Sequence, residues 1–323
     1  MRKLTAVLLG WLLVPLAWAQ IDTARVHGLT ARQIGPAGMS GRVVALAVEP
    51  GNPDVIYVGA ASGGLWRSED GGVTWTPLFD RQPVSSIGAI AIDPNNPDVI
   101  WVGTGEGTPR NSASVGNGVY KSVDRGRTWV HLGLEESERI QSIVIDPRNS
   151  EVVYVAALGP AWRDGGQRGL YKTTDGGKTW TKILGDNERT GADKILMDPR
   201  NPDKLIVSLW EYRRWPWFFK SGGPGSGLYI TYDGGQTWKR ITAKEGLPKG
   251  ELGRMGLALA PSNPDVVYAL IEAKRSGLYR SDDGGHTWRK VNDELNLHYR
   301  PFYFSLLQVD PTNENRLYYG QYD

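Results

Sequence analysis

Apolar residues in this chain come in short runs of strand length, separated by clusters of Gly, Pro, Asn and Asp. In the first clear stretch the runs are 43–48, 55–59, 65–67 and 74–79, which predicts four strands joined by three turns. No stretch keeps a helical period long enough for a long amphipathic helix.

Two polar signatures punctuate the runs and repeat. The first is the octapeptide Ser68-Glu69-Asp70-Gly71-Gly72-Val73-Thr74-Trp75, found again at 122–129, 173–180, 231–238 and 281–288. Its aspartates, Asp70, Asp124, Asp175, Asp233 and Asp283, lie 54, 51, 58 and 50 residues apart. The second precedes each copy: Val48-Glu49-Pro50-Gly51-Asn52-Pro53-Asp54, then 92–98, 145–151, 197–203 and 259–265. A sixth version begins at Val309-Asp310-Pro311 with no octapeptide after it.

Four antiparallel strands repeated at this period describe a propeller blade. A β-solenoid coil is shorter, and a sandwich has no reason to repeat its turn chemistry five times. The expected fold is all-β: a β-propeller of four-stranded antiparallel blades with five copies of the octapeptide. The blades fall at about 42–80, 86–133, 139–185, 191–243 and 253–292, with an incomplete sixth at 303–323. First strands alternate large residues (Leu46 and Val48, Ile90 and Ile92, Ile143 and Ile145) with smaller ones (Ala45 and Ala47, Ala89 and Ala91, Ser142 and Val144). Strands crowded around an axis need one trimmed face. Five full units and part of a sixth would leave a ring open, so further blades in a longer chain are expected to close it.

Within the octapeptide the third-position Asp can accept N–H bonds across a tight turn, and the fifth-position Gly supplies positive φ. The first hydroxyl can satisfy further turn groups. The terminal tryptophans, Trp75, Trp129, Trp180, Trp238 and Trp288, are expected to fill the gaps between blades. Each copy reads as a structural clip between third and fourth strands, not as a catalytic group. The pattern Ser/Thr-x-Asp-x-Gly-x-Thr-Trp resembles the Asp-box, or BNR repeat, of sialidases, sortilin-type receptors, xyloglucan-cleaving endoglucanases and the photosystem II assembly factor. The wording Gln33-Ile34-Gly35-Pro36, Gly63-Gly64-Leu65-Trp66-Arg67-Ser68 and Trp210-Glu211-Tyr212-Arg213-Arg214 is similar to large exported bacterial proteins labelled sortilin-N-terminal-like or glycosyl hydrolase. The resemblance implies the architecture and leaves activity open, because this fold hosts enzymes, receptors and assembly factors alike.

Composition narrows the choice. Of 323 residues, 13 are Trp and 14 Tyr against 5 Phe, a bias toward strands and amphipathic contact surfaces. The absence of Cys excludes disulfides, thiolate metal sites and a cysteine nucleophile. Residues 1–19 read as a secretory signal: Arg2 and Lys3, an apolar stretch over 4–18, and Ala17-Trp18-Ala19 before Gln20. Residues 20–41 would be a lead-in. Removing Arg2 and Lys3 from 37 basic residues leaves 35 against 35 acidic, a net of zero. A neutral chain lacks the footprint of a nucleic-acid binder. The mature protein is expected to be exported, to the periplasm or beyond, with no membrane span after cleavage.

Alternating strand direction puts the Asn-Pro turns and Asp-boxes on one face of the ring. The second turns and the crossovers share the other, where loops lengthen and sites are expected. There 104–118 carries Glu106, Arg110 and Asn111; 158–169 carries Trp162, Arg163 and Asp164; and 209–227 carries Glu211, Tyr212, Arg213, Arg214, Trp215 and Trp217. Crossovers add Arg42, Arg139 and Arg254. Rings beside guanidinium and carboxylate groups suit a carbohydrate, peptide or protein partner, although 215–219 could equally pack beneath its own loop.

A sialidase-like reading would gather Arg42, Arg139 and Arg254 on a substrate carboxylate with Tyr212 and Glu211 as nucleophile pair, but the Phe-Arg-Ile-Pro element of such enzymes is missing. An endoglucanase-like reading needs two carboxylates across the bond, and Ala61 stands where the resemblance implies one of them. Glu106, Glu211 and Tyr212 are thus the candidate catalytic groups. With four His and no ligand-spaced cluster, no metal or cofactor is expected. The reading favoured by the sequence is a binding or assembly module, with a glycoside hydrolase as the alternative.

Overall fold

The computed structural model describes residues 42–297, 299–303 and 305–320, all in one compact unit. The expected signal segment 1–19 and lead-in 20–41 lie outside the described residues. Blade 1 comprises β1 (Val43–Glu49), β2 (Asn52–Ala60), β3 (Gly64–Ser68) and β4 (Thr76–Pro77); blade 2 comprises β5 (Ile87–Ile92), β6 (Ile100–Thr104), β7 (Val119–Ser122) and β8 (Val130–His131). Blade 3 is β9 (Ile140–Ile145), β10 (Val153–Ala157), β11 (Gly169–Thr173) and β12 (Thr181–Leu184). Blade 4 is β13 (Thr190–Asp198), β14 (Asn201–Trp215), β15 (Phe218–Ser221), β16 (Gly227–Thr231) and β17 (Lys239–Ile241). Blade 5 is β18 (Leu252–Leu259), β19 (Val267–Ala273), β20 (Gly277–Ser281) and β21 (Arg289–Asn292), followed by a two-stranded sheet of β22 (Leu307–Val309) and β23 (Leu317–Tyr319). Each blade is an antiparallel meander, and the first strands touch in chain order around the axis. This is the propeller that the repeats predict.

The core is a series of wedges between blades. Ile90 and Ile92 pack back on Tyr57 and Leu65 of blade 1, while Ala89 and Ala91 on the other face of β5 receive Ile143 and Ile145 of blade 3. The small face is the one that accepts the next blade. Gly103 shows how tight this is, since a Cβ there would lie 2.3 Å from the Ile140 side chain.

Each Asp-box forms the clip its residues predict. In the first copy Ser68 Oγ accepts from the N–H groups of Asp70 and Gly72, while Asp70 accepts from Thr74 N–H and Thr74 Oγ1 at 2.8 and 2.6 Å. The fourth-position N–H then donates to the turn between the first two strands of the same blade, Asn-Pro in four blades and Asn149-Ser150 in blade 3: Gly71 to Asp54 O, Arg125 to Asp98 O, Gly176 to Glu151 O, Gly234 to Asp203 O and Gly284 to Asp265 O. Positive φ is needed at the fourth position as well as the fifth. Four copies have Gly there, and the second copy has Arg125 at φ 61°. Its guanidinium reaches Asp98 at 2.6 Å and Glu49 at 3.2 Å, which offsets the strain of a side chain in that region.

Two features differ from expectation. Trp129 and Trp180 do reach back, donating Nε1–H to Leu78 O and Leu132 O of the preceding blades, but Trp75 is 39% exposed and bonds only within its own turn at Gly72 O. The segment 209–227 is not a loop. β14 runs on to Trp215 and returns as β15, pairing Tyr212 with Ser221 and Trp215 with Phe218 across a turn at Pro216-Trp217. The aromatic residues on both arms favour this hairpin over an irregular turn.

The Asp-box carboxyls sit low. The Thr74 hydroxyl and N–H bring Asp70 to about 2. In Asp124 and Asp283 desolvation pulls the other way, yet bonds from Thr128 and Thr287 hold each at about 2. A folded-state value below the unfolded one means that this stabilisation is complete above about pH 4 and is lost as pH falls through about 2. Melting temperature followed by circular dichroism should therefore fall in that window, and Asp124→Asn should lower it at neutral pH while flattening the acid limb. An acid limb of the same depth in the variant would exclude the clip as its source.

Candidate functional site

Three long connections meet on the face opposite the Asp-boxes. The connection after β6 holds Glu106, fully buried and bound by Arg42 through Nε at 3.0 Å and Nη2 at 2.6 Å. Arg254, at the start of β18, is buried and clasps Asp193 of β13 at 2.8 and 3.1 Å, with its third nitrogen donating to Phe302 O. Arg139, just ahead of β9, is buried against Glu138 at 3.0 Å, and its Nε and Nη2 have no hydrogen-bond partner. Arg163 meets the other oxygen of Glu138 at 3.3 Å.

The three crossover arginines therefore do not form the carboxylate-binding triad of the sialidase-like reading. Arg42 and Arg254 border one cavity of about 270 Å³, together with Gln141 and Tyr303. Both already hold internal carboxylates, and Arg139 does not line that cavity. The physical reason is charge balance, because a guanidinium taken out of water needs a counter-charge, which β13 and the connection after β6 supply.

Tyr212 is likewise committed to the core. Its ring stacks on Trp210 at 4.4 Å and its hydroxyl donates to Gly159 O at 2.8 Å. Burial pushes its phenol above the ordinary value, which corrects its candidacy as a nucleophile. Glu211 faces Lys220 at 3.5 Å and accepts the Gly225 N–H at 2.9 Å.

The β14–β15 hairpin crosses the face. Arg214 donates to Asn111 and Pro109 O of the blade 2 connection and lies over the Phe219 ring at 4.8 Å. Phe219 also packs on Trp210 and Phe302. Arg213 lies over Trp215 at 5.4 Å and meets Asp164 at 3.3 Å. The base of the hairpin is thus packed through Arg214 and Phe219, whereas Trp217 at the tip is 82% exposed, Phe218 56% and Trp162, nearby in sequence to Arg163, 38%. Arg110 is partly buried in the blade 2 connection, which turns through its N–H to Thr108 O.

Several residues escaped sequence reasoning. Arg168 is buried and binds the carbonyls of Leu158, Pro160, Arg163 and Gly165, so one guanidinium holds the whole blade 3 loop. Burial lowers its pKa. Glu272 accepts from Ser221 Oγ and the Arg254 N–H, and burial raises its pKa. Both are charged residues at strand ends, a position that carries no spacing signature. Among the described residues no group of three His, Cys, Asp or Glu could hold a metal ion, and no helix is long and apolar enough to cross a membrane.

Tyr212→Phe should cost about 1–2 kcal/mol in urea unfolding, because Gly159 O loses its donor. Asp193→Ala should cost about 3–5 kcal/mol, since Arg254 would stay buried without a counter-charge. A loss for Asp193→Ala no larger than for an exposed carboxylate would show that the pair is not structural.

Residues 117–246 match the family model described as Sortilin-Vps10, sortilin, neurotensin receptor 3. A xyloglucanase of Paenibacillus sp. is 28% identical over 225 residues, covering 63% of this chain and 21% of that protein. The oligoxyloglucan-reducing end-specific xyloglucanase of Emericella nidulans is 26% identical over 247 residues, covering 65% and 28%. The chain thus spans less than a third of the length of these curated relatives. Among solved structures, the GH74 enzyme of Niastella koreensis superimposes with a TM-score of 0.63 at 21% identity over 86% of this chain and 43% of that one. The GH74 xyloglucanase of Xanthomonas campestris gives 0.56 at 18% identity over 88% and 51%. The chain is an Asp-box β-propeller whose central blades match the sortilin family model.

Proposed function

We propose that this chain is part of an exported propeller that binds a glucan polymer of the xyloglucan kind across its long-loop face, residues 1–19 serving as the export signal. The carrying observation is the β14–β15 hairpin, which fixes its base through Arg214 and holds Trp217 out in solvent. An exposed indole on a rigid arm offers a flat apolar surface for a sugar ring, and neighbouring Arg213 and Asp164 offer hydrogen-bonding groups. The xyloglucanase relatives favour a carbohydrate over a peptide as the partner.

Hydrolysis would need two carboxyl groups facing one bond across open space. Glu106 is held by Arg42, Glu211 by Lys220 and Gly225, and Glu272 by Ser221 and Arg254. These partners favour binding over cleavage by the described residues, with glycoside hydrolysis as the second reading that the relatives keep in view. Affinity electrophoresis in a xyloglucan gel should show retardation of the full chain, reduced roughly tenfold by Trp217→Ala. Reducing-end release should be absent. No retardation would overturn the proposal, and turnover abolished by Glu211→Gln or Glu106→Gln would replace it with hydrolysis.

A further inference from the structure

A second cavity lies away from the one bordered by Arg42 and Arg254 and shares no residue with it. It has a volume of about 300 Å³ and opens at the seam of blades 3 and 4, between the end of β12, the start of β13 and the strands β14 and β16. Its polar lining is Asp186, Asn187 and Thr190, and its apolar lining includes Leu209, Pro224 and Tyr229.

Three observations point to a ligand. Thr190 is 1% exposed, yet its Oγ1 has no hydrogen-bond partner, and a buried hydroxyl left unpaired is costly. Asn187 is oriented by its own turn: Oδ1 accepts the N–H groups of Arg189 and Thr190, both at 2.9 Å, which leaves Nδ2 as the group it can offer. The floor is a glycine packed directly on these groups, where no other residue fits. A Cβ at Gly225 would lie 1.9 Å from Thr190 Oγ1, 2.8 Å from Asn187 Nδ2 and 3.1 Å from the Glu211 carboxylate. The β12–β13 crossover and strands β13 and β14 bring these polar atoms together, and any side chain on Gly225 would collide with them.

The chemistry of the lining selects the ligand. Asp186 is an acceptor, Asn187 Nδ2 a donor, and Thr190 Oγ1 can be either. The Tyr229 ring is fixed by Arg240, whose guanidinium lies 5.8 Å from its centroid while bonding to the Pro224 and Ser226 carbonyls. Asp186 and Glu211 disfavour an anion. A pyranose residue, with hydroxyls that both donate and accept and an apolar ring face, matches all of these groups at once. We infer that the cleft between blades 3 and 4 is a second saccharide site, taking a single neutral pyranose through Thr190, Asn187 and Asp186 against Tyr229. The cleft lies on the same face as the hairpin but shares no residue with its Trp217 tip, so it can take a single sugar whether or not the hairpin takes a polymer.

The test is a titration of the full ¹⁵N-labelled chain with methyl β-glucopyranoside and, separately, methyl α-xylopyranoside, read by amide chemical shifts. Saturable shifts confined to 184–190 and 225–229 are expected for one or both sugars, at millimolar concentration. Thr190→Val, which keeps shape but removes the hydroxyl, should weaken binding roughly fivefold to tenfold. Thr190→Ser should restore it, and the exposed Asn187→Ala should weaken it similarly should the valine variant misfold. Trp217→Ala should leave these shifts unchanged, which separates this site from the hairpin: polymer binding can fail while the pyranose site persists. Absence of saturable shifts with both sugars, or shifts that survive both Thr190→Val and Asn187→Ala, would overturn the inference.

Discussion

The hydrogen bond from the fourth N–H of each Asp-box to a carbonyl in the turn between the first two strands of the same blade is the contact on which the rest of the structure depends. It joins the two hairpin turns at one end of the blade and so sets how the third and fourth strands stand against the first and second. The Asp carboxylate organises the turn that aims this N–H, and the turn needs a left-handed residue at the donor position. Arg125 shows that the requirement lies in backbone conformation rather than in glycine itself, since two carboxylates reward its side chain for taking the strained state.

Adjacent blades are held by a different device on the same face. Arg148 binds Asp146 of its own blade and Asp203 of the next, and Arg200 repeats this with Asp198 and Asp265. The arginines and the neighbouring-blade aspartates are exposed and that half contributes modestly to stability, whereas Asp146 and Asp198 are buried; being multidentate, the clamps fix the rotation of one blade on its neighbour. Between the blades the apolar wedges supply most of the stabilisation. The exposed Leu46 and Val48 of β1 hold the positions that Ile90 and Ile92 bury in β5.

With the Asp-box face locked by short stereotyped turns, variation is confined to the opposite face and to the seams. Buried charges lie on both faces, and those of the long-loop face are mostly neutralised internally. Arg42 with Glu106 and Arg254 with Asp193 brace the axis, Arg168 closes the blade 3 loop on carbonyl oxygens, and Arg214 ties the blade 4 hairpin to blade 2. What remains available for ligands is the unpaired part: the aromatic tip of the hairpin and the polar cleft around Gly225.

By itself the sequence determined the all-β propeller fold, the chemistry of each clip and the separation of short repeated turns from long connections. All of these are local, since they follow from residues a few positions apart that meet whatever the rest of the chain does. Partner choice among long side chains was decided by tertiary structure alone. Arg42 and Glu106 are 64 residues apart and Arg254 and Asp193 are 61 apart, so no spacing rule connects them. The same holds for Tyr212, whose burial depends on Gly159 in another blade, and for Thr190, whose unpaired hydroxyl becomes visible only once Gly225 folds over it. Repetition records the turns, whereas packing between blades assigns each charge its counterpart and each ring its depth.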